Sequence, residues 1–342
     1  MNSKAVVLKR KGDPDKAFEL IQITLPELKS NELLIESEAF GLNYADVMAR
    51  NGLYRDAPPM PCVIGYEVVG KVIETGSDVD QSLLGTRVLA FCRFGGYGKH
   101  VITKSNAVIP INNFPFQEVL ALSTQAVTAF YMTDVLSPVL KNDKVLIHAA
   151  AGGVGSILIQ LAKKRGAEVI AKVGTHEKVK VAKDMGADFV INYNETEYSS
   201  EVQKLLKGAS LDISYNPVGG STFKKDWKLL GSGGRLFIFG GSELSDGRFG
   251  LFSSLNFLRK MGLVIPATLM MGSRSILGVN MLKIADNRPE IMQFCLEELM
   301  KLYTSNKIQV CVGGSFNVNQ ISEAHALLES GKSKGKISVF WD

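Results

Sequence analysis

Cysteine, histidine and tryptophan are scarce here: four, four and two in 342 residues. Cys62, Cys92, Cys295 and Cys311 lie far apart with no C-x-x-C pair. That excludes a zinc module of the usual spacing and argues against a disulfide scaffold. His100, His148, His176 and His325 form no constellation, and no Ser–His–Asp order with a nucleophile elbow is present. Long apolar runs are missing too. The longest, around Met261–Gly272, is interrupted by Pro266 and falls short of the ~20 residues that span a bilayer. The opening MNSKAVVLKRKGD has no apolar core of secretory length. Charge of one sign is not concentrated: 39 basic and 34 acidic residues leave +5, with Lys and Arg scattered among acids. No nucleic-acid partner is expected from such a distribution. A soluble, cytoplasmic protein in a reducing compartment is the expectation.

What is present is apolar: 46% of the residues are hydrophobic, enough for a large core and against disorder. At roughly 100–200 residues per domain, the length suggests two domains. The first third reads as β, with Ala5–Lys9, Glu32–Ala39, Val63–Thr75, Thr86–Phe91 and Lys99–Thr103 as runs punctuated by Gly and Pro. From about Thr124 the texture changes. Strands at Lys144–Ala149, Glu168–Val173, Asp188–Asn192, Leu211–Tyr215 and Arg235–Gly240 alternate with helices at Gly152–Arg165 and His176–Met185. That alternation predicts an α/β fold with a parallel, doubly wound sheet. A strand-like SILGV, a helix over Arg288–Tyr303 and a mixed β–helix–β tail follow, and the tail is expected to return to the first domain.

HAAAGGVGS joins the strand Lys144–Ala149 to the next helix. It matches the dinucleotide fingerprint G-x-G-x-x-G at Gly152 and Gly155, with Ala150 in place of the first glycine and an extra Gly153. Gly152 lets backbone approach a pyrophosphate, and Gly155 lets helix and strand pack closely. The segment Ala151, Gly152, Gly153, Val154 and Gly155 would hold phosphates on the helix N-terminus. The second strand ends in Gly174 and Thr175 with no acid until Glu177, so no carboxylate is placed for adenine ribose hydroxyls. Thr175 can donate to a phosphate, and Lys178 lies one turn on. NADPH is therefore expected over NADH.

GLNYADVMARNGLY (41–54), PCVIGYEVVGKVIETG (61–76), HAAAGGVG (148–155), GADFVINY (186–193) and the closing SGKSKGK resemble, in this order, the medium-chain dehydrogenase/reductase superfamily. The resemblance is to its zinc-free quinone oxidoreductase branch, and the first motif is most similar to the synaptic vesicle membrane protein subgroup. It implies a GroES-like β-rich catalytic domain from both chain ends (1–123 and 284–342), with a Rossmann NADP-binding domain (124–283) between them. It also implies Asn43 and Tyr54 near the nicotinamide, as donor and ring wall, with Asn43 also touching cofactor. Thr128 would be a nicotinamide-side hydroxyl, Tyr193 would pack beside the 2′-phosphate, and Lys334 is a candidate second cation there. Asn216, standing where the family often has an acid, is a candidate cofactor contact, and Phe239, Gly240 and Ser242 would run past the cofactor. Asp46 and Arg50 read as a local ion pair. Tyr303-x-x-x-Lys307 has the spacing of short-chain dehydrogenases but lies beyond the sheet, and reads as chance.

Zinc alcohol dehydrogenases of the superfamily carry metal ligands where this chain has Asn43, Tyr66 and Thr124. None is a good zinc ligand, so no metal is expected. Without a Lewis acid, an acceptor that spreads its developing charge, a quinone or conjugated enone, is the expected substrate. The resemblance implies a homodimer paired through the edge strand at Ser275–Val279. The rival reading is an NADPH-binding redox sensor or membrane-associated adaptor with little turnover. Phe249–Met271, where large apolar residues flank Arg259 and Lys260, would then be a peripheral membrane contact rather than a lid or subunit contact.

Overall fold

A computed structural model describes residues 1–244 and 251–342, so Phe249 and its neighbour at the start of the apolar-basic segment lie outside the described residues. The chain forms two units. The first comprises Met1–Val127, Leu282–Thr304 and Val310–Asp342, and the second Thr128–Met281 with Ser305–Gln309.

In the first unit one sheet runs, edge to edge, Val312–Asn317, Lys336–Phe340, Glu32–Leu42, Glu67–Thr75, Arg87–Phe91 and Val108–Pro110, with His100–Lys104 also on Glu32–Leu42. The last strand of the chain pairs antiparallel with Glu32–Leu42, Val339 opposite Phe40, so the tail does return to the β-rich start. Leu33, Ile35, Phe40, Val68, Val72, Val88, Ala90, Ile337 and Val339 from these strands meet in one core. Asn2–Leu8 forms a hairpin with Phe18–Thr24, a strand not anticipated from FELIQIT. Its burial is slight, which is why its pattern is weak.

In the second unit six parallel strands lie in the order Phe189–Asn192, Glu168–Val173, Lys144–Ile147, Leu211–Asn216, Leu230–Ile238, Ser275–Gly278. Numbered along the chain this is 3-2-1-4-5-6, whose order reverses beside the first strand and places a binding crevice at the strands' carboxyl ends. Lys144–Ile147 is a buried apolar strand, as a parallel sheet covered on both faces requires. The helix Gly153–Lys164 buries Ile157, Leu158, Ile159, Leu161 and Ala162.

One stretch among the described residues, 116–136, is long and apolar enough to cross a membrane by length and composition. The apolar run around Met261–Gly272 is thus not the strongest such segment. Most of 116–136 is buried within the protein, as in a core helix.

Candidate active site

The glycine turn of the second unit is built as its sequence requires. After Ile147 the chain reverses through Ala149, which takes a left-handed φ of 49°. The Ala149 carbonyl accepts from Gly152 N at 2.9 Å. Gly152 is the extended residue before the helix Gly153–Lys164, and no side chain caps that helix. Its first N–H groups are therefore available to an anion. A Cβ at Gly155 would strike the Ala149 carbonyl and lie 2.6 Å from Ala150 Cα, both backbone. At Gly152 the nearest atom would be 3.2 Å away. Gly155 admits no side chain, one at Gly152 would crowd the Ala149 carbonyl, and the turn fits a dinucleotide pyrophosphate.

At the carboxyl ends of the next two strands the structure brings Gly174, Thr175, Lys178 and Tyr193 together. Tyr193 lies against Gly174, where a Cβ would be 2.7 Å from the phenolic oxygen. Asn194 Nδ2 donates to the Gly174 carbonyl at 2.6 Å. Thr175 is exposed and caps the helix His176–Asp184, its Oγ1 accepting from Lys178 N at 3.4 Å. Behind this corner sits a residue the sequence reading passed over. Lys172 is buried, its Nζ 4.8 Å from the Tyr193 ring centroid and 4.1 Å from that of Tyr198. It also lies 3.3 Å from His148 Nδ1, and His148 Nε2 is 2.9 Å from Asp226 Oδ2.

Two expectations need correction. The Asn216 side chain is fully buried and occupied with its own turn. Its Oδ1 accepts from Val218 N at 2.8 Å and Gly219 N at 2.9 Å, and its Nδ2 donates to Thr222 Oγ1 at 2.8 Å and Asp226 Oδ2 at 2.6 Å. Asp46 and Arg50 do not pair: Asp46 Oδ2 accepts from Asn43 N at 2.7 Å, while Arg50 Nη2 reaches Glu329 at 2.5 Å. Elsewhere, Gly240 packs on the Pro217 carbonyl, and Phe239 N and Ser242 N bond to the carbonyls of Asn216 and Pro217. Thr128 is nearly buried on the helix Thr124–Phe130, and Lys334 belongs to the first unit. Tyr303 is bonded to Glu118.

In the first unit Asn43 precedes the short helix Tyr44–Arg50 and is buried. Its Nδ2 donates to Glu67 Oε1 at 3.0 Å, and its Oδ1 accepts from Lys336 Nζ at 3.0 Å. Lys336 also bonds Glu67 Oε1 directly. Glu67 Oε2 takes Thr124 N at 3.1 Å and the Thr124 hydroxyl. Glu67 and Lys336, both with fully buried side chains, were not singled out from sequence. Nothing local marks them, because their contact joins residues 269 positions apart. Asp46 beside them is fully buried, and burial pushes its carboxyl up to about 7. Tyr54 packs edge-on to Tyr66 with centroids 6.3 Å apart, and burial raises its phenol to about 12, so it keeps its proton. The Tyr66 hydroxyl is buried with no hydrogen-bond partner among the described residues.

These residues do not fit zinc. The three ligand positions hold an amide, a phenol and an alcohol, and an ammonium already bonds Asn43 Oδ1 and the adjacent carboxylate. Among the described residues no three His, Cys, Asp or Glu side chains are grouped to hold a metal.

Residues 29–113 match the family described as alcohol dehydrogenase GroES-like domain, and residues 153–297 match zinc-binding dehydrogenase. The second match contains none of Asn43, Tyr66 and Thr124. The chain is 30% identical over 336 residues to the synaptic vesicle membrane protein VAT-1 homolog of Danio rerio, covering 98% of this chain and 69% of that one. It is 29% identical over 329 residues to quinone oxidoreductase 1 of Escherichia coli, covering 95% of each. Among solved structures, Escherichia coli quinone oxidoreductase complexed with NADPH superposes with a TM-score of 0.85 at 26% identity, over 98% of this chain and 99% of that one. Human synaptic vesicle membrane protein VAT-1 homolog-like protein gives 0.84 at 25% identity, over 99% and 98%.

Proposed function

Because this chain belongs to the medium-chain dehydrogenase/reductase superfamily, among its quinone oxidoreductase and VAT-1-like members, we propose that it reduces a quinone or conjugated enone with NADPH and without a catalytic metal. The observation that carries this reading is the Asn43–Glu67–Lys336–Thr124 network, which fills the region of the zinc ligands with hydrogen-bonding groups. A simple ketone concentrates its developing charge on one oxygen, where a metal's Lewis acidity would supply several kcal/mol. A quinone or enone delocalises the charge, and neutral donors are sufficient.

Bound NADPH supplies the hydride. Ala151–Gly155 hold its pyrophosphate on the uncapped helix N-terminus, and Thr175, Lys178 and Tyr193 receive the 2′-phosphate, with Lys334 as a further cation. Thr128, Phe239, Gly240 and Ser242 complete the cofactor's surroundings. Asn43 and Tyr54 act on the acceptor: the amide through an Nδ2 hydrogen, the phenol as a protonated donor at neutral pH. The catalytic domain takes residues 1–123 and 284–342 and the cofactor domain 124–283.

The protein is read as a cytoplasmic homodimer. Ser275–Gly278 is the outermost strand of its sheet, and just before it Leu263, Met270 and Met271 are 99%, 76% and 82% exposed. A second copy would cover both. The same residues keep membrane contact as the rival, but Lys260 beside them is paired with Glu243 at 2.6 Å, which weakens its pull on anionic lipid. NADPH consumption against a panel of ortho- and para-quinones, enones and aldehydes tests the reading. Oxidation with quinones or enones supports it. Saturable NADPH binding with no turnover on any acceptor would favour the sensor or adaptor.

A further inference from the structure

We propose that Lys336 is a positioning residue for the reaction, fixing and polarising the Asn43 amide so that its second Nδ2 hydrogen faces the acceptor oxygen. The proposal rests on the reading of Asn43 as the acceptor's donor and adds a residue that this reading did not contain.

The orientation follows from charge. Asn43 Oδ1 meets the Lys336 ammonium and Asn43 Nδ2 meets Glu67 Oε1, each at 3.0 Å. Turning the amide over would set an N–H₂ against the ammonium and a carbonyl oxygen against the carboxylate, two repulsions in a site closed to water. The frame itself cannot turn. Glu67 Oε2 is held by Thr124 N and the Thr124 hydroxyl, and Gly41 lies against the Lys336 chain, where a Cβ would come within 2.8 Å of Nζ. One Nδ2 hydrogen is thereby assigned to Glu67. The other has no partner among the described residues. An ammonium on the amide oxygen draws electron density from the nitrogen and strengthens that remaining donor. A purely structural role explains the cluster less well, because a buried ion pair is often replaceable by apolar residues of similar shape without loss of stability.

The test is a cycle of variants, with the fastest acceptor from the panel and NADPH affinity read by fluorescence. The pair Glu67→Gln/Lys336→Met removes both charges without stranding either. Its kcat is expected to fall tenfold or more, with KM and the NADPH dissociation constant within about twofold. In an Asn43→Ala background the same pair should change kcat by less than twofold, because the residue it acts through is gone. If the pair fails to fold, Glu67→Gln/Lys336→Gln, which keeps hydrogen-bonding groups without charge, takes its place with the same thresholds. A folded pair with wild-type kcat overturns the proposal, as does a second tenfold loss in the Asn43→Ala background. If Asn43→Ala itself retains full kcat, the earlier reading of Asn43 is what fails.

Discussion

Lys172 holds its ammonium 4.1 Å from the centroid of the Tyr198 ring, buried on the sheet of the second unit. Among the described residues no carboxylate forms an ion pair with it. Ring faces and the His148 imidazole stand in for one. Burial, only partly offset by the field of Asp226, lowers the lysine from 10.5 to about 8.

The native state thus disfavours this charge, and Lys172→Met, similar in length and apolar, is expected to stabilise the protein at pH 7 by about 1–3 kcal/mol. This penalty is lost with rising pH in a defined window. Between about pH 8 and 10.5 the unfolded lysine still binds a proton that the native one has lost, so wild-type stability gains as pH rises. Urea unfolding at pH 7 and pH 9.5 should show the variant's advantage shrinking. A variant less stable than wild type at pH 7 would contradict this.

Gly155→Val places a branched side chain against the Ala149 carbonyl and Ala150 Cα. The helix start must shift off the phosphate seat proposed there, and NADPH binding should be lost while circular dichroism stays native. Unchanged affinity in a titration would put the pyrophosphate elsewhere.

If Thr175 receives the 2′-phosphate as proposed, Thr175→Asp sets a carboxylate beside it. At ~4 Å the repulsion is about 1–4 kcal/mol across plausible dielectrics, so NADPH should weaken about tenfold or more and the preference over NADH should narrow or reverse. Lys178→Ala should weaken NADPH and hardly touch NADH. Equal effects on both cofactors would remove the phosphate site from this corner.

Chelator should leave turnover intact, since the amide, phenol and alcohol at the ligand positions bind zinc poorly. Inactivation that added zinc restores would refute the metal-free reading.

Light scattering at micromolar concentration should give twice the chain mass. A monomeric mass would leave Ser275–Gly278 as an unpaired edge and return the exposed Leu263, Met270 and Met271 to the membrane alternative.

Neighbouring residues alone determined the glycine turn and the strand–helix alternation around it. Apolar periodicity, a helix start and a backbone that only glycine allows are all local, and so the strand–turn–helix proposed to cradle the pyrophosphate was legible along the chain. The family motif likewise marked Asn43 and Tyr54. What those residues are bonded to was decided elsewhere. Asn216 looked like a cofactor contact from its place after a strand, yet its amide is consumed by Val218, Gly219, Thr222 and Asp226. Arg50 finds Glu329 rather than Asp46, and Lys336 finds Glu67 and Asn43, across 279, 269 and 293 residues respectively. A buried charge takes whichever opposite partner the packed sheets bring within 3 Å, and no pattern along the chain encodes that meeting. Only the closed fold sets it.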